Sequence, residues 1–258
     1  MIRLVFLLRR KEGMSLEDFQ SYWRNEHAPL VASHARHMNV LRCVQVHALD
    51  DPMNDAMAAA RGGMEPRYDG VAELWWDSEE SLGEAMATAD GERAMAELLE
   101  DEQRFIDLPN SPAYFNYEYP QVNPTPEDIL ATPRSTVVKL YFPLRQPEGR
   151  DLADAQLYWR TSHGPLIRSQ AQALSMLRYM QVHRFETPLE AAIREPRGTI
   201  VEPYMGHAEV WFDRGLRRQG PEAAVAGQRA IDDEAKFIDF ARSAIWIGKE
   251  HPIIQYAG

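Results

Sequence analysis

Residues 22–30 read YWRNEHAPL, and residues 158–166 read YWRTSHGPL. The same Tyr-Trp-Arg, His and Pro-Leu positions stand in both halves of one chain. Either a helix packs the same way twice, or a reactive imidazole was copied with its surroundings. Trp23 recurs as Trp159, an offset of 136 residues, and the same offset carries His27 to His163, Pro29 to Pro165, Arg42 to Arg178, Gln45 to Gln181 and His47 to His183. The register survives a long intervening loop, since Tyr68, Gly70, Glu73 and Trp75 return as Tyr204, Gly206, Glu209 and Trp211. It slips only afterwards: DEQRFID (101–107) matches DEAKFID (233–239) at an offset of 132. A repeat this long is a tandem duplication with a short deletion, not a solenoid array.

The pattern around the quoted stretch predicts the local structure. RLVFLLR and VVKLYFPLR are runs of β-formers that open each copy as a strand. Ser15 with Asp18 three residues on resembles a capping box, and Leu16, Phe19, Trp23 and His27 then share one helical face. Pro29 and Pro165 fall inside that helix, where proline removes a backbone hydrogen bond. A bend is therefore expected just after each histidine, with a cavity where the freed carbonyl opens. Two further strands, a helix rich in Ala and Glu, and a short last strand complete each copy. The order β-α-β-β-α-β is an α+β, ferredoxin-like arrangement, and two such half-domains can press their open sheet faces together and close a barrel. The halves are expected at 1–118 and 136–258, joined by a linker over 119–135 in which four prolines favour extended backbone.

Composition narrows the partners. With 39 acidic against 28 basic side chains and no Lys/Arg block, the charge of −11 argues against nucleic acid or an anionic membrane surface and for a small apolar organic ligand. No apolar run approaches the roughly 20 residues that span a bilayer, and the first residues do not read as a signal peptide. A lone cysteine, Cys43, fits a reducing cytoplasm. A nucleotide-binding glycine loop, a GxSxG elbow and the HExxH and CxxC ligand patterns are all missing, so no cofactor and no metal is expected. His207-x-Glu209 has ligand spacing on one strand face, but the first copy carries Val71 in place of His207.

Several repeated side chains can carry chemistry. His27 and His163 have the titration range for acid/base work near neutrality, against the plainer role of a packed histidine bonded to backbone. His47 and His183 end their strands, on the faces of Gln45 and Gln181. Tyr22 and Tyr158 stand beside the helix histidines and can donate to a substrate oxygen. Glu73 and Glu209 lie within aromatic-rich strands, where a carboxylate needs a partner; Arg42 and Arg178 are the simplest structural choice, and a histidine polarised by the glutamate is the functional one. Trp23, Trp159, Trp75 and Trp211 read as core that can also line an apolar pocket.

At YWRNEHAPL, RCVQVHAL, YDGVAELWWD and DEQRFID the sequence resembles the EthD family, within the dimeric α/β-barrel superfamily, and the resemblance runs through both halves. It implies two ferredoxin-like half-domains forming an intramolecular dimeric α/β-barrel, a pseudo-dimer open to further pairing as a homodimer. The family's Trp, His and Pro signature lands on Trp23, His27 and Pro29 and on Trp159, His163 and Pro165. Relatives include cofactor-free enzymes that dehydrate, decarboxylate, cyclise or isomerise aromatic or polyketide-like compounds. The expectation is a cofactor-independent lyase or isomerase in which His27 or His163 moves a proton, with Tyr22/Tyr158 and His47/His183 orienting the substrate. The alternatives are a carrier serving a partner oxygenase, or a cofactor-free oxygenase. The flanks differ, as Glu26 becomes Ser162, Phe19 becomes Ala155 and His34 becomes Gln170, so the two pockets are not equivalent. His163, with His207 and Glu209 in the same half, is favoured as the more reactive.

Overall fold

A computed structural model describes residues 1–125, 128–216 and 220–255. The first copy runs β1 (Ile2–Leu8), α1 (Leu16–Tyr22), α2 (Ala28–His34), β2 (Arg42–Ala48), α3 (Pro52–Ala59), β3 (Gly70–Trp76), α4 (Glu79–Met86), α5 (Ala89–Phe105) and β4 (Ala113–Val122). The second runs β5 (Val137–Leu144), α6 (Leu152–Tyr158), α7 (Gly164–Gln170), β6 (Arg178–Arg184), α8 (Pro188–Arg194), β7 (Gly206–Asp213), α9 (Pro221–Glu234) and β8 (Trp246–Gln255). Among the described residues α4 has no counterpart in the second copy. No helix among them is long and apolar enough to cross a membrane.

The expected pair of ferredoxin-like half-domains in a dimeric α/β-barrel is corrected by the sheet itself. All eight strands form one closed antiparallel barrel in the order β1-β3-β2-β8-β5-β7-β6-β4, with the helices outside. The last strand of each copy, expected to be short, is ten residues long. Residues 113–116 of β4 pair with β1, and the strand then runs on to Val122 against β6; β8 likewise leaves β5 to pair with β2. An open half-sheet would leave a row of unpaired backbone groups at its edge, and these extensions satisfy them across the repeat boundary. β4 thereby occupies residues 119–122 of the expected linker, whose Pro126 and Glu127 lie outside the described residues.

Strand alternation sorts the side chains. Val5, Val44, Val46, Tyr114, Tyr141 and Trp246 fill the barrel interior. Outward-facing residues of each copy pack under that copy's helices, around Phe19, Trp23 and Phe105 in one and Trp159, Tyr179 and Phe237 in the other.

The quoted stretch is interrupted ahead of its proline, by a change of helix type. Trp23–His27 and Trp159–His163 are π-helical turns, in which Ala28 N–H donates to Trp23 O and Gly164 N–H to Trp159 O. Pro29 and Pro165 then sit in the first turn of the helix that follows, where a missing N–H costs little. The same Trp carbonyls also accept from Gln45 Nε2 (2.8 Å) and Gln181 Nε2 (3.0 Å), which accounts for the repeated glutamine. Each Trp ring covers a repeated glycine: a Cβ on Gly70 would lie 2.4 Å from the Trp23 ring. The tryptophan, glutamine and glycine of the repeat are thus one packing unit that holds the π-turn and its histidine on the barrel wall.

Candidate active site

The two copies place their helix histidines identically. His163 Nδ1–H donates to Asp233 Oδ2 (2.8 Å), and Tyr158 (2.8 Å) and Lys236 (2.9 Å) donate to the other oxygen of that carboxylate. Burial raises the Asp233 pKa, but these hydrogen bonds outweigh it and hold the carboxyl below its ordinary value. An ionised carboxylate only accepts, so the imidazole proton sits on Nδ1. Nε2 has no hydrogen-bond partner among the described residues and is left as the basic nitrogen. His27 repeats this with Asp101 (2.8 Å) and Tyr22 (2.6 Å), and each imidazole rests on a phenylalanine, Phe105 or Phe237, at 5.1 Å. Neither aspartate was singled out from the sequence, although both open the matching DEQRFID and DEAKFID stretches.

What differs is the space in front of the base. His163 lines a cavity of about 350 Å³ between the outer face of β5, β6 and β7 and helices α7, α9 and α3. The corresponding space at His27 is about 80 Å³. Residue size explains the contrast. Trp76, Met95 and Leu98 wall the smaller space, and Phe212, Gly227 and Ala230 stand in their places in the larger one. Leu82 of α4 also plugs the first space, and the second copy shows no such helix among the described residues.

Cys43 is replaced by Tyr179, a residue that sequence reading passed over. Its hydroxyl oxygen accepts from Trp159 Nε1 (3.2 Å) and Gln181 Nε2 (3.1 Å), and burial pushes the phenol pKa up, so its own proton stays on oxygen. Beside the mutually paired Arg61 and Glu234, the cavity wall therefore offers one base, His163, and one neutral donor, Tyr179, in otherwise mostly apolar surroundings.

The remaining expected site residues go elsewhere. Tyr22 and Tyr158 point their hydroxyls at the aspartates. His47 and His183 stack on Trp23 and Trp159 at 4.7 and 4.4 Å and bond their own Gln45 and Gln181; burial lowers them to about 2 and about 3. Glu73, Glu209, His207, Trp75 and Trp211 project into the barrel interior, so His207 and Glu209 do not join His163.

Arg42 and Arg178 are not the glutamates' partners. Both pair with Asp128 and stack over Trp75 and Trp211, capping one end of the barrel. The glutamates meet Arg3 and Lys139 instead, with Lys139 Nζ 2.7 Å from Glu73, 2.9 Å from Glu209 and 3.3 Å from Glu250. Burial pushes Glu73 up to about 7, whereas Arg3 and Lys139 keep Glu209 well below the carboxylate range despite its burial. Three buried carboxylates thus face two cations, and burial favours the protonated form of Glu73 among them. Among the described residues no group of three or more His, Cys, Asp or Glu side chains is arranged to hold a metal.

A family model described as the EthD domain matches residues 11–109 and again residues 147–241. The chain belongs to the EthD family. The two matched segments carry the two histidine–aspartate pairs, one in each EthD copy. Among solved structures, a protein titled an ethyl tert-butyl ether d (EthD) family protein from Bacillus halodurans C-125 is 22% identical over 46% of this chain and 99% of its own, with a TM-score of 0.33. A protein titled putative monooxygenase from Lactobacillus acidophilus NCFM is 11% identical, covering 100% of this chain and 97% of its own, with a TM-score of 0.47. A dye-decolorizing peroxidase from Bacteroides thetaiotaomicron VPI-5482 is 8% identical over 96% and 92%, with a TM-score of 0.46. No curated protein matches the chain.

Proposed function

We propose that the second EthD copy binds a small, apolar, enolisable carbonyl or phenolic compound and that His163 Nε2 takes its acidic proton. The observation that carries this reading is a free imidazole nitrogen, oriented by Asp233, on the wall of a 350 Å³ apolar cavity. The ion pair with Asp233 stabilises the imidazolium as it forms, and Tyr179 O–H donates to the enolate or phenolate oxygen. For a departing group out of reach of the His163 imidazolium, a lyase would need a second acid. Tyr179, with its raised pKa, is a poor one, and His183 and Tyr158 face away from the cavity. The arrangement therefore favours oxygenation over elimination: the anion passes electrons to dioxygen, a CH2 group becomes C=O, and water leaves with the second oxygen atom and two protons.

The test uses 2-tetralone, an apolar enolisable ketone, with solvent deuterium exchange and oxygen uptake measured in parallel. The wild type is expected to catalyse exchange, and oxygen uptake in step with it marks the oxygenase. His163→Ala should lower both roughly 10²–10⁴-fold, the usual worth of a positioned base, while His27→Ala leaves both intact. Exchange that survives His163→Ala sinks the mechanism, and exchange without oxygen uptake returns the protein to the isomerase reading.

A further inference from the structure

The large cavity is not built by the second copy alone. Its outer wall includes Met53, Ala56, Met57 and Ala60, all on α3 or the turn after it, in the first copy's excursion between β2 and β3. Asp51 caps this helix by accepting from Met53 N–H (2.9 Å). Buried Asn54 ties it across the repeat boundary, because its Oδ1 accepts from Ile247 N–H of β8 (2.9 Å). At the far end Glu65 N–H donates to Ser243 O (2.9 Å), and Tyr204 O–H donates to the Glu65 carboxylate (2.7 Å). Between these anchors Arg61 forms a two-pronged pair with Glu234 of α9, Nε to Oε2 at 2.8 Å and Nη2 to Oε1 at 3.1 Å, while Nη1 holds Met57 O at 3.1 Å. The arrangement is reciprocal. Arg197, at the same repeat position, grips Glu102 of α5 with two bonds of 2.8 Å, and Ile193 lines the first copy's small space.

We propose that the His163 site is shared between the two copies: residues 52–63 of the first copy form its fixed cap, Arg61 is the positioning residue that sets the cap against Glu234, and the ligand enters as a neutral molecule. The inference rests on the reading above that this cavity is the ligand site. Its neutral-ligand part follows from charge. Arg61 is the one cation on the cavity wall among the described residues, and Glu234 already matches it prong for prong, so an anion meets no free positive charge there. The apolar cap face, with two unbranched methionines, adapts to the ligand's body and leaves its oxygen to His163 and Tyr179. The duplication then has a functional content: one copy carries the base and the other closes the room it works in.

Fluorescence titration of the whole chain with neutral N-phenyl-1-naphthylamine and anionic 8-anilinonaphthalene-1-sulfonate tests this. The wild type should bind the neutral probe saturably and the anionic one at least about tenfold more weakly, and Arg61→Met should weaken the neutral probe roughly tenfold by unseating the cap. Arg197→Met makes the same change in the other copy and should leave the affinity within about twofold, since distant sites act independently. Met57→Trp, which fills the cavity from the cap side with the ion pair intact, should abolish binding, and it decides the question if Arg61→Met does not fold. Equal effects of Arg61→Met and Arg197→Met, or full binding by Met57→Trp, overturn the shared site. Equal affinity for the anionic probe overturns neutral entry. Loss of exchange activity in His163→Ala alongside unchanged probe binding supports the cavity while testing the base separately; no saturable binding to the wild type overturns the cavity and the proposed function together.

Discussion

His27 and His163 have the same aspartate, the same tyrosine and the same phenylalanine at matching distances, yet one faces about 80 Å³ and the other about 350 Å³. The dyad geometry alone does not distinguish the two copies; the space in front of it does. In the first copy the dyad is part of a packed wall, and in the second it borders a room. The difference lies in residues that carry no chemistry at all: Trp76, Leu82, Met95 and Leu98 against Phe212, Gly227 and Ala230. One copy is closely packed in front of its histidine, and the other leaves space there.

The strongest way to break this contrast is to open the closed copy. Leu82 is 1% exposed, and Leu82→Ala removes the plug contributed by α4. The substitution should cost about 2–5 kcal/mol, the range for a buried leucine whose site cannot fully collapse, read as a shift in urea midpoint. It should also create a second binding event for N-phenyl-1-naphthylamine. A loss of stability without new binding would mean that α4 relaxes into the gap, and that the room of the second copy depends on more than the Leu82 position.

Much of this was legible in the sequence and some was not, for identifiable reasons. The 136-residue offset located the tryptophan, histidine, glutamine and glycine that form one packing unit, because residues that must fit one another are copied together. The strands were legible from their runs of β-formers. The closure was not: β4 and β8 run past their own copy, and nothing in AYFNYEY marks where its partner changes from β1 to β6. Proline at position 29 read as a kink because spacing does not distinguish an interrupted helix from a π-turn followed by a fresh first turn. The partners of Glu73 and Glu209 were missed because Arg3 and Lys139 stand far away in sequence and meet the glutamates only once the barrel closes. Arg61 was missed for the same reason, since its meaning depends on a helix of the other copy.

Acid sharpens the comparison in a second way, because three of the four histidines whose pKa burial lowers lie in the second copy. Burial lowers His47 to about 2, His183 and His207 to about 3, and His251 to about 4, and His207 has Val71 at its repeat position. These groups stay neutral in the native state while the unfolded chain takes up protons near pH 6.5. Their stability is thus complete above that pH and is lost as pH falls toward the folded values. Glu73, raised to about 7, acts in the opposite sense: the native state holds a proton that the unfolded chain releases above about 4.5, so its contribution falls as pH rises between those values. The three deeply buried histidines, His47, His183 and His207, outweigh one glutamate between pH 6 and 5, with partly exposed His251 adding less, and stability should drop there by about 1.4 kcal/mol per pH unit for each net proton. Urea midpoints at pH 7, 6 and 5 measure the slope, and His207→Val should shallow it by about one proton. A flat profile would mean that the buried imidazoles are protonated in the native state.

The smallest expected change in stability closes the open copy. A Cβ added at Gly227 meets nothing within 4 Å, so Gly227→Met together with Ala230→Leu builds the large copy's wall nearly as the small copy's is built. Replacing a helical glycine should raise stability by about 0.5–1 kcal/mol, and the new side chains add contacts across the room. Probe binding and exchange activity should both vanish although His163, Asp233 and Tyr158 are untouched. If the doubly filled variant keeps its activity, the cavity is not where the base works. If it loses activity and gains stability together, then volume separates the two copies of one dyad, and the first copy's histidine is quiet for want of space.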